Sequence, residues 1–81
     1  MDSTQVKQIL EDVLSLEEIH VKGEQSYYKV IAVDQRFSGM SRVKRQQLVF
    51  SPLMELIRRN DIHAVSVEAF TPTEWEPKKN G

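Results

Sequence analysis

Hydrophobic residues recur along this chain with two spacings, one typical of helices and one typical of strands. The first apolar series has helical spacing and consists of Val6, Ile9, Leu10 and Val13. Asp2 precedes this series as a capping residue, with the amide of Gln5 three positions later. The pattern predicts a first helix that begins after Asp2 and ends near Ser15.

The next two series predict a β-hairpin. Residues 18–22 alternate between polar and apolar, which places Ile19 and Val21 on one face of a half-buried strand. Residues 23–26 supply the glycine and polar side chains of a short loop, and residues 27–33 follow as a nearly continuous apolar run, as in a central strand. The two strands should therefore pair antiparallel.

A long amphipathic helix is predicted between Ser41, which can cap it, and Asn60. Its apolar stripe should face the sheet. The stripe consists of Val43, Phe50, Met54 and Ile57, widened by Val49, Leu53 and Leu56. Pro52 should kink or break the helix at Ser51, because proline lacks a backbone donor and crowds the preceding turn. Gly39, in the connector before the helix, marks a backbone conformation that other residues avoid.

The final third of the chain predicts a strand and a short helix. Residues 60–61 indicate a corner, and an alternating β-branched strand should begin at Ile62. Because a helix separates the second and third strands, a right-handed crossover is expected and these strands should run parallel. The segment T-P-T-E at 71–74 has the pattern of a capped helix, which should carry Trp75 back onto the domain.

These elements together predict an α+β fold. The order is α-β-β-α-β-α, with a mixed three-stranded sheet packed against helices. Eighty-one residues can enclose one hydrophobic core, so we expect a single domain over 1–77 and a frayed tail over 78–81.

Composition narrows the chemistry. The chain has no cysteine, which excludes disulfides, a thiolate nucleophile and an all-cysteine metal or cluster site built by this chain alone. The formal net charge of -1 argues against a strong general attraction to DNA or to an anionic membrane. No apolar run could span a bilayer and the start lacks a signal-peptide pattern, so we expect a cytoplasmic protein with no membrane partner. No nucleophile stands beside a base and no phosphate-binding glycine loop is present, so we predict no enzyme.

Two histidines and one basic helix face are the candidate functional groups. His63 would lie at the head of the third strand, where it could bind metal as a neutral imidazole or bond to backbone as a partly buried residue. His20 lies on the outward face of the first strand and could equally be an ordinary surface residue. The basic face could be solvated, or it could bind an acidic partner or nucleic-acid phosphates. It consists of Arg42, Lys44, Arg45, Arg58 and Arg59.

Three segments in this order resemble the BolA family, and within it the short IbaG-like bacterial branch. They are F-S-G-M-S-R-V-K-R-Q-Q-L-V-F at 37–50, I-H-A-V-S-V at 62–67 and T-P-T-E-W at 71–75. The resemblance extends from the first helix to Trp75. It implies a fold similar to the class II KH domain, α-β-β-α-β-α.

The resemblance also implies a partnership with monothiol glutaredoxins in handling [2Fe–2S] clusters. The histidine at the head of the third strand is the usual cluster ligand in that family, and His63 is the matching position. Better-known branches have a second ligand, histidine or cysteine, in the loop between the first two strands. Residues 23–26 contain neither, and Tyr27 stands where many relatives have histidine. His20 is the remaining histidine and therefore the candidate second ligand.

The expected function is a non-enzymatic partner that shares a [2Fe–2S] cluster with a monothiol glutaredoxin in iron–sulfur cluster trafficking or sensing, linked to the stress response. The isolated chain should bind no cluster, because two histidines cannot fill four ligand positions. The free protein is expected to be a monomer or a weak homodimer.

The alternative is a nucleic-acid-binding transcriptional regulator, with DNA contacted by the basic helix face. The G-x-x-G loop with which KH domains clamp a single strand is incomplete here, because residues 39–42 read G-M-S-R. This argues against KH-style binding and leaves a phosphate-contacting helix.

Overall fold

The computed structural model describes residues 2–24, 27–62 and 64–79. The helices in these ranges are α1 (Ser3–Leu14), α2 (Arg42–Phe50), α3 (Met54–Arg58) and α4 (Pro72–Lys79). The strands are β1 (Glu18–Glu24), β2 (Tyr27–Val33) and β3 (Ala64–Phe70). The predicted α+β class and element order are confirmed, with the long helix divided into α2 and α3. None of the helices over 2–24, 27–62 and 64–79 combines the length and the hydropathy of a membrane-spanning segment.

The strands form a mixed sheet in the order β1-β2-β3. β1 and β2 are antiparallel, with Glu18 opposite Val33 and Glu24 opposite Tyr27. β2 and β3 are parallel, with Tyr27 opposite Ala64. Both predicted orientations are confirmed, so the helices between β2 and β3 form the crossover that parallel strands require.

Gly23 shapes the hairpin end of the sheet. β1 extends through Gly23 and Glu24, two positions that were predicted to belong to the loop. Gly23 has φ of +126°, and a Cβ atom there would lie 2.1 Å from the carbonyl oxygen of Tyr27. Because only glycine permits this approach, the strand continues where the sequence indicated a turn. The other predicted loop positions, Gln25 and Ser26, lie outside the described residues.

The hydrophobic core lies between α1–α3 and one face of the sheet. The predicted cap of α1 is confirmed, since the Asp2 carboxylate accepts from the Gln5 N–H and the Gln5 side chain accepts from the Asp2 N–H. Val13, the last residue of the apolar series that predicted α1, lies outside the core: its side chain is 60% exposed, whereas Leu14 is buried. The buried residues of α1 are spaced four apart, so the residue that follows Leu10 into the core is at position 14 and not at position 13. These residues are Val6, Leu10 and Leu14.

The predicted break in the long helix is confirmed. The Ser41 hydroxyl caps α2 by accepting from the Lys44 N–H, and a 3-10 turn at Ser51–Leu53 separates α2 from α3. Proline is tolerated in such a turn because the α-helical hydrogen bond that it would remove is already absent. Gly39 has φ of +80°, as its position in the connector predicted.

The predicted sheet-facing stripe of this helix is wrong at its centre. Val49, Leu53 and Leu56 are buried against the sheet side, whereas Val43 is 61% exposed and Met54 is 56% exposed. The apolar residues occupy a wider arc than the sheet covers, and periodicity alone does not show which edge of that arc stays outside. Apolar residues therefore remain on the outer surface of α2 and α3.

Asp34 closes the end of the sheet opposite the hairpin. Its buried carboxylate accepts from the N–H groups of Arg36, at 2.8 Å, and Glu17, at 3.0 Å. Glu17 in turn accepts from the N–H of Gln35 at 2.8 Å. Burial alone would raise the pKa of Asp34, but these hydrogen bonds and the Arg36 guanidinium outweigh it and lower the pKa. The bonds join the start of β1 to the turn after β2.

Helix α4 lies on the other face of the sheet. Its predicted cap is confirmed, because Thr71 and Glu74 each accept a hydrogen bond from the other's backbone N–H. Trp75 packs back onto the domain as predicted, with its ring stacked on Phe70 at 5.6 Å between centroids. The helix passes through Pro77 and ends at Lys79, so residues 78 and 79 are helical where a frayed tail was predicted. Residues 80 and 81 lie outside the described ranges.

Candidate functional site

The candidate ligand His63 lies outside the described residues, but the chain on both sides of it is described. Ile62 is fully buried. Ala64 is exposed and begins β3 next to Tyr27, at the hairpin end of the sheet. Among the described residues β3 begins at Ala64, and Ile62, which was predicted as the first strand residue, lies in the core. Position 63 therefore lies between a core residue and a residue of β3.

The corner before position 63 is held by hydrogen bonds to the end of α3. Asn60 has φ of 63°, the left-handed conformation that a sharp corner needs. The N–H groups of Asp61 and Ile62 both donate to the carbonyl of Leu56, at 2.9 and 3.4 Å. The predicted corner is confirmed, and its hydrogen bonds hold residues 60–62 against the end of α3.

His20 lies on the outer face of β1 and already has partners. Its Nε2 atom is hydrogen-bonded to the carboxylate of Glu18, which also accepts from the Trp75 indole N–H at 2.8 Å. The His20 and Trp75 rings are tilted against each other, with centroids 5.5 Å apart. With Glu18 ionised, Nε2 donates its hydrogen, so Nδ1 is the ring nitrogen that would have to bind a metal. The contact ties α4 to the sheet.

The structure does not bring His20 to the end of the sheet where position 63 lies. His20 is opposite Ile31, four residues along the strands from the row that joins Glu24, Tyr27 and Ala64. At usual strand spacings, about 16 Å separates the Cα atoms of His20 and Ala64. Over residues 2–24, 27–62 and 64–79, no group of three or more histidine, aspartate or glutamate side chains could hold a metal ion.

Arg45 points inward, although the sequence placed it on the outward basic face. Its side chain is 15% exposed and bonds the carbonyls of Met40 and Ala69, each at 3.1 Å, and the Glu74 carboxylate at 2.7 Å. The physical reason is that Arg45 lies one helical turn before the buried Val49, on the side of α2 that faces β3. Arg45 therefore joins α2, β3 and α4 and is not available to an external partner.

The other predicted basic residues are at the surface. Arg58 pairs with Glu55 and Arg59 pairs with Asp61, each at 2.9 Å. Arg42 and Lys44 are exposed, and no carboxylate lies within ion-pair distance of either one in the part of the chain that is described. The basic face is therefore narrower than the sequence indicated.

The Glu74 carboxylate should make stability sensitive to acid. The side-chain hydrogen bond from Arg45, and next the N–H of Thr71, lower the pKa of Glu74 from 4.5 to about 2. Because the folded-state pKa is below the unfolded-state value, this contribution is complete above pH 4.5 and is lost as pH falls from there through about 2. In urea titrations over this window, Glu74→Gln should show a smaller acid-induced loss of unfolding free energy than wild type. The exposed-residue control Glu68→Gln should behave like wild type, and equal slopes for all three proteins would contradict the assignment.

Two features were missed from sequence. Gln46 donates to the carbonyl of Val67 at 3.3 Å, so α2 side chains cover part of the outer edge of β3. Glu18 accepts from Trp75, which is 57 residues away. The sequence did indicate that the indole N–H of a partly buried tryptophan needs an acceptor, but it did not show that Glu18 would be that acceptor.

Comparison with known proteins places the chain among BolA-like sequences. The model of the BolA-like protein family matches residues 4–74. The chain is 52% identical over 83 residues to the acid stress protein IbaG of Escherichia coli strain K12, and the alignment covers 100% of this chain and 99% of that protein.

Solved structures show the same fold. A BolA protein homologue from Coxiella burnetii superposes with a TM-score of 0.80 at 27% identity, covering 94% of this chain and 97% of that one. The BolA domain of SufE1 from Arabidopsis thaliana superposes with a TM-score of 0.77 at 26% identity, covering 89% of this chain and 93% of that domain.

Proposed function

Because this chain belongs to the BolA-like family, we propose that it acts without catalysis as the partner of a monothiol glutaredoxin. The two proteins would share a [2Fe–2S] cluster as cargo, in iron–sulfur cluster trafficking or sensing in the cytoplasm. The chain's role would be to offer one nitrogen ligand on a rigid scaffold, while the partner brings the sulfur.

The ligand-forming residues of the chain carry this proposal. Clusters of this type are held mainly by cysteine thiolates, with histidine replacing some of them in certain centres. This chain has no cysteine and two histidines, so it cannot fill the four ligand positions by itself. It could modify a cluster that another protein holds, because replacing thiolate with imidazole raises the reduction potential.

His63 is the ligand that we propose. The residue before it is fully buried, the residue after it starts β3, and the preceding corner is tied to α3. A partner would therefore approach a segment whose flanking residues are anchored to the core and to the sheet. His20 is not included as a second ligand, because it lies four residues along the strands from the row that contains Ala64.

The decisive measurement mixes this protein with a cluster-loaded monothiol glutaredoxin and records visible absorption and circular dichroism spectra. Wild type should change the spectrum, because a nitrogen ligand replaces a sulfur ligand at one iron. His63→Ala should lose that change, and the matched histidine control His20→Ala should keep it. A His63→Ala spectrum identical to that of wild type would exclude His63 as the ligand.

Acid should weaken the mixed complex. A proton and an iron atom compete for the same imidazole nitrogen, so the wild-type spectral change should fade as pH drops through the histidine range, about 6.5 for an unperturbed side chain. Such a loss of the complex in acid would connect the protein to the acid stress response, and the name of the E. coli relative, acid stress protein, supports this proposal. Spectra recorded from pH 8 to 5, with glutaredoxin alone as the reference, test it; the same pH dependence in both samples would contradict it.

The nucleic-acid alternative is not taken further, because no contact favours it. Of the five basic residues on which it depended, Arg45 points inward, and Arg58 and Arg59 have carboxylate partners. A phosphate-binding surface relies on accessible cations, and this arrangement leaves few of them unpaired.

A further inference from the structure

An apolar groove of about 570 Å³ lies on the outer side of α2 and α3. Its apolar lining residues are Val43, Phe50, Met54 and Ile57. The side chains of Val43 and Met54 are more than half exposed. Isolated apolar residues are common on protein surfaces, whereas a contiguous group of them indicates a site that binds a ligand or another protein. The groove lies on different elements from the His63 segment.

The spacing of the lining residues fits a helical partner. Val43 and Phe50 are seven residues apart on α2, and Met54 and Ile57 are three residues apart on α3, so each pair lies on one side of its own helix. From position 43 to position 57 the groove is about 20 Å long, the length of about 14 residues of a second helix. A helix that presents apolar residues at the same spacing would cover it, in the manner of helix-in-groove complexes.

The charge around the groove indicates which kind of helix. Over residues 42–59 the exposed charged residues are four basic ones, Arg42, Lys44, Arg58 and Arg59, and one acidic one, Glu55, because Arg45 points inward to Glu74. The rest of the chain contains six basic and eleven acidic residues. Glu55 is already paired with Arg58, a groove residue, and Lys44 next to Val43 has no described ion-pair partner. A second copy docked face to face would bring these like charges together. A nucleic acid would leave the apolar floor uncovered.

We propose that this groove binds an amphipathic helix of a partner protein, with apolar residues on the groove floor and acidic residues towards Lys44. The interaction requires no metal and does not involve His63. It would give the protein a second binding surface besides the end of the sheet.

A designed peptide tests the proposal. The probe is a fluorescently labelled 18-residue helical peptide with leucines at the complementary spacing and glutamates beside them. One control peptide has lysines in place of the glutamates, and another has the same composition in scrambled order. The glutamate peptide should bind the full chain and shift the amide resonances of α2 and α3, whereas both controls should bind at least about tenfold more weakly.

Val43→Glu and Val13→Glu form a matched pair of variants, because the two valines are 61% and 60% exposed and neither change should unfold the chain. Val43→Glu should weaken the glutamate peptide about tenfold or more, while Val13→Glu and His63→Ala should bind it like wild type. Lys44→Glu should reduce both the affinity and its salt dependence.

Four results would overturn the proposal. They are no binding of the glutamate peptide at about 1 mM, equal binding by the Val43→Glu and Val13→Glu variants, equal binding of the lysine peptide, and a wild-type dimer in sedimentation that Val43→Glu dissociates. The last result would assign the groove to a second copy of the chain. Because His63→Ala should retain peptide binding, loss of cluster sharing and loss of docking can be told apart.

Discussion

Replacement of Ile62 by alanine is expected to lower the free energy of unfolding by about 2–5 kcal/mol. The side chain is fully buried in the core, so truncation removes apolar contacts and leaves a cavity. A domain of this size has a total stability of about 4–12 kcal/mol, so the change would consume a large share of it. Urea unfolding followed by far-UV circular dichroism measures the loss.

Ile9→Ala is the matched control for this substitution. Ile9 is an isoleucine of α1 that is only partly buried, so its truncation leaves less of a cavity and should cost clearly less. At urea-free conditions where both variants are folded, Ile62→Ala should also weaken the spectral response to cluster-loaded glutaredoxin, because it loosens the anchor next to His63. Equal losses of stability and equal spectral responses in the two variants would contradict the role given to Ile62.

Replacement of Arg45 by methionine should lower the free energy of unfolding by about 1–3 kcal/mol. Methionine retains much of the stem, so the main loss is the hydrogen bonds to the carbonyls of Met40 and Ala69 and to Glu74. The loss of the Arg45 hydrogen bond should also move the pKa of Glu74 back towards 4.5, which would reduce the acid-dependent part of stability below that pH.

Arg58→Met provides the comparison for this prediction. The Arg58 side chain is 72% exposed and its ion pair with Glu55 is open to water, so the substitution should change stability by about 0–1 kcal/mol. Urea titrations of both variants at pH 7 and at pH 3 measure the loss of unfolding free energy that each substitution causes. If Arg45→Met is no more costly than Arg58→Met, the inward contacts of Arg45 do not stabilise the fold.

The order of elements and the orientation of the strands were predictable because they depend on short-range patterns. Apolar residues at two spacings identified helices and strands, and the crossover between β2 and β3 determined that these strands run parallel. The candidate site was predictable only in part. Ala64 lies on β3 where the pattern placed it, whereas Ile62 enters the core instead of the strand. The partners of His20 involve α4, which the pattern of β1 does not show.

Local sequence was sufficient to predict the features that depend on neighbours within one helical turn. These are the caps at Asp2, Ser41 and Thr71, the break after Phe50 and the left-handed backbone at Gly39. The packing of the elements against one another sets which edge of the apolar arc of α2 and α3 is buried, and it turns Arg45 inward to β3 and Glu74. The physical reason is that helical periodicity defines a residue's angle around its own axis, while burial depends on the surface that other elements cover.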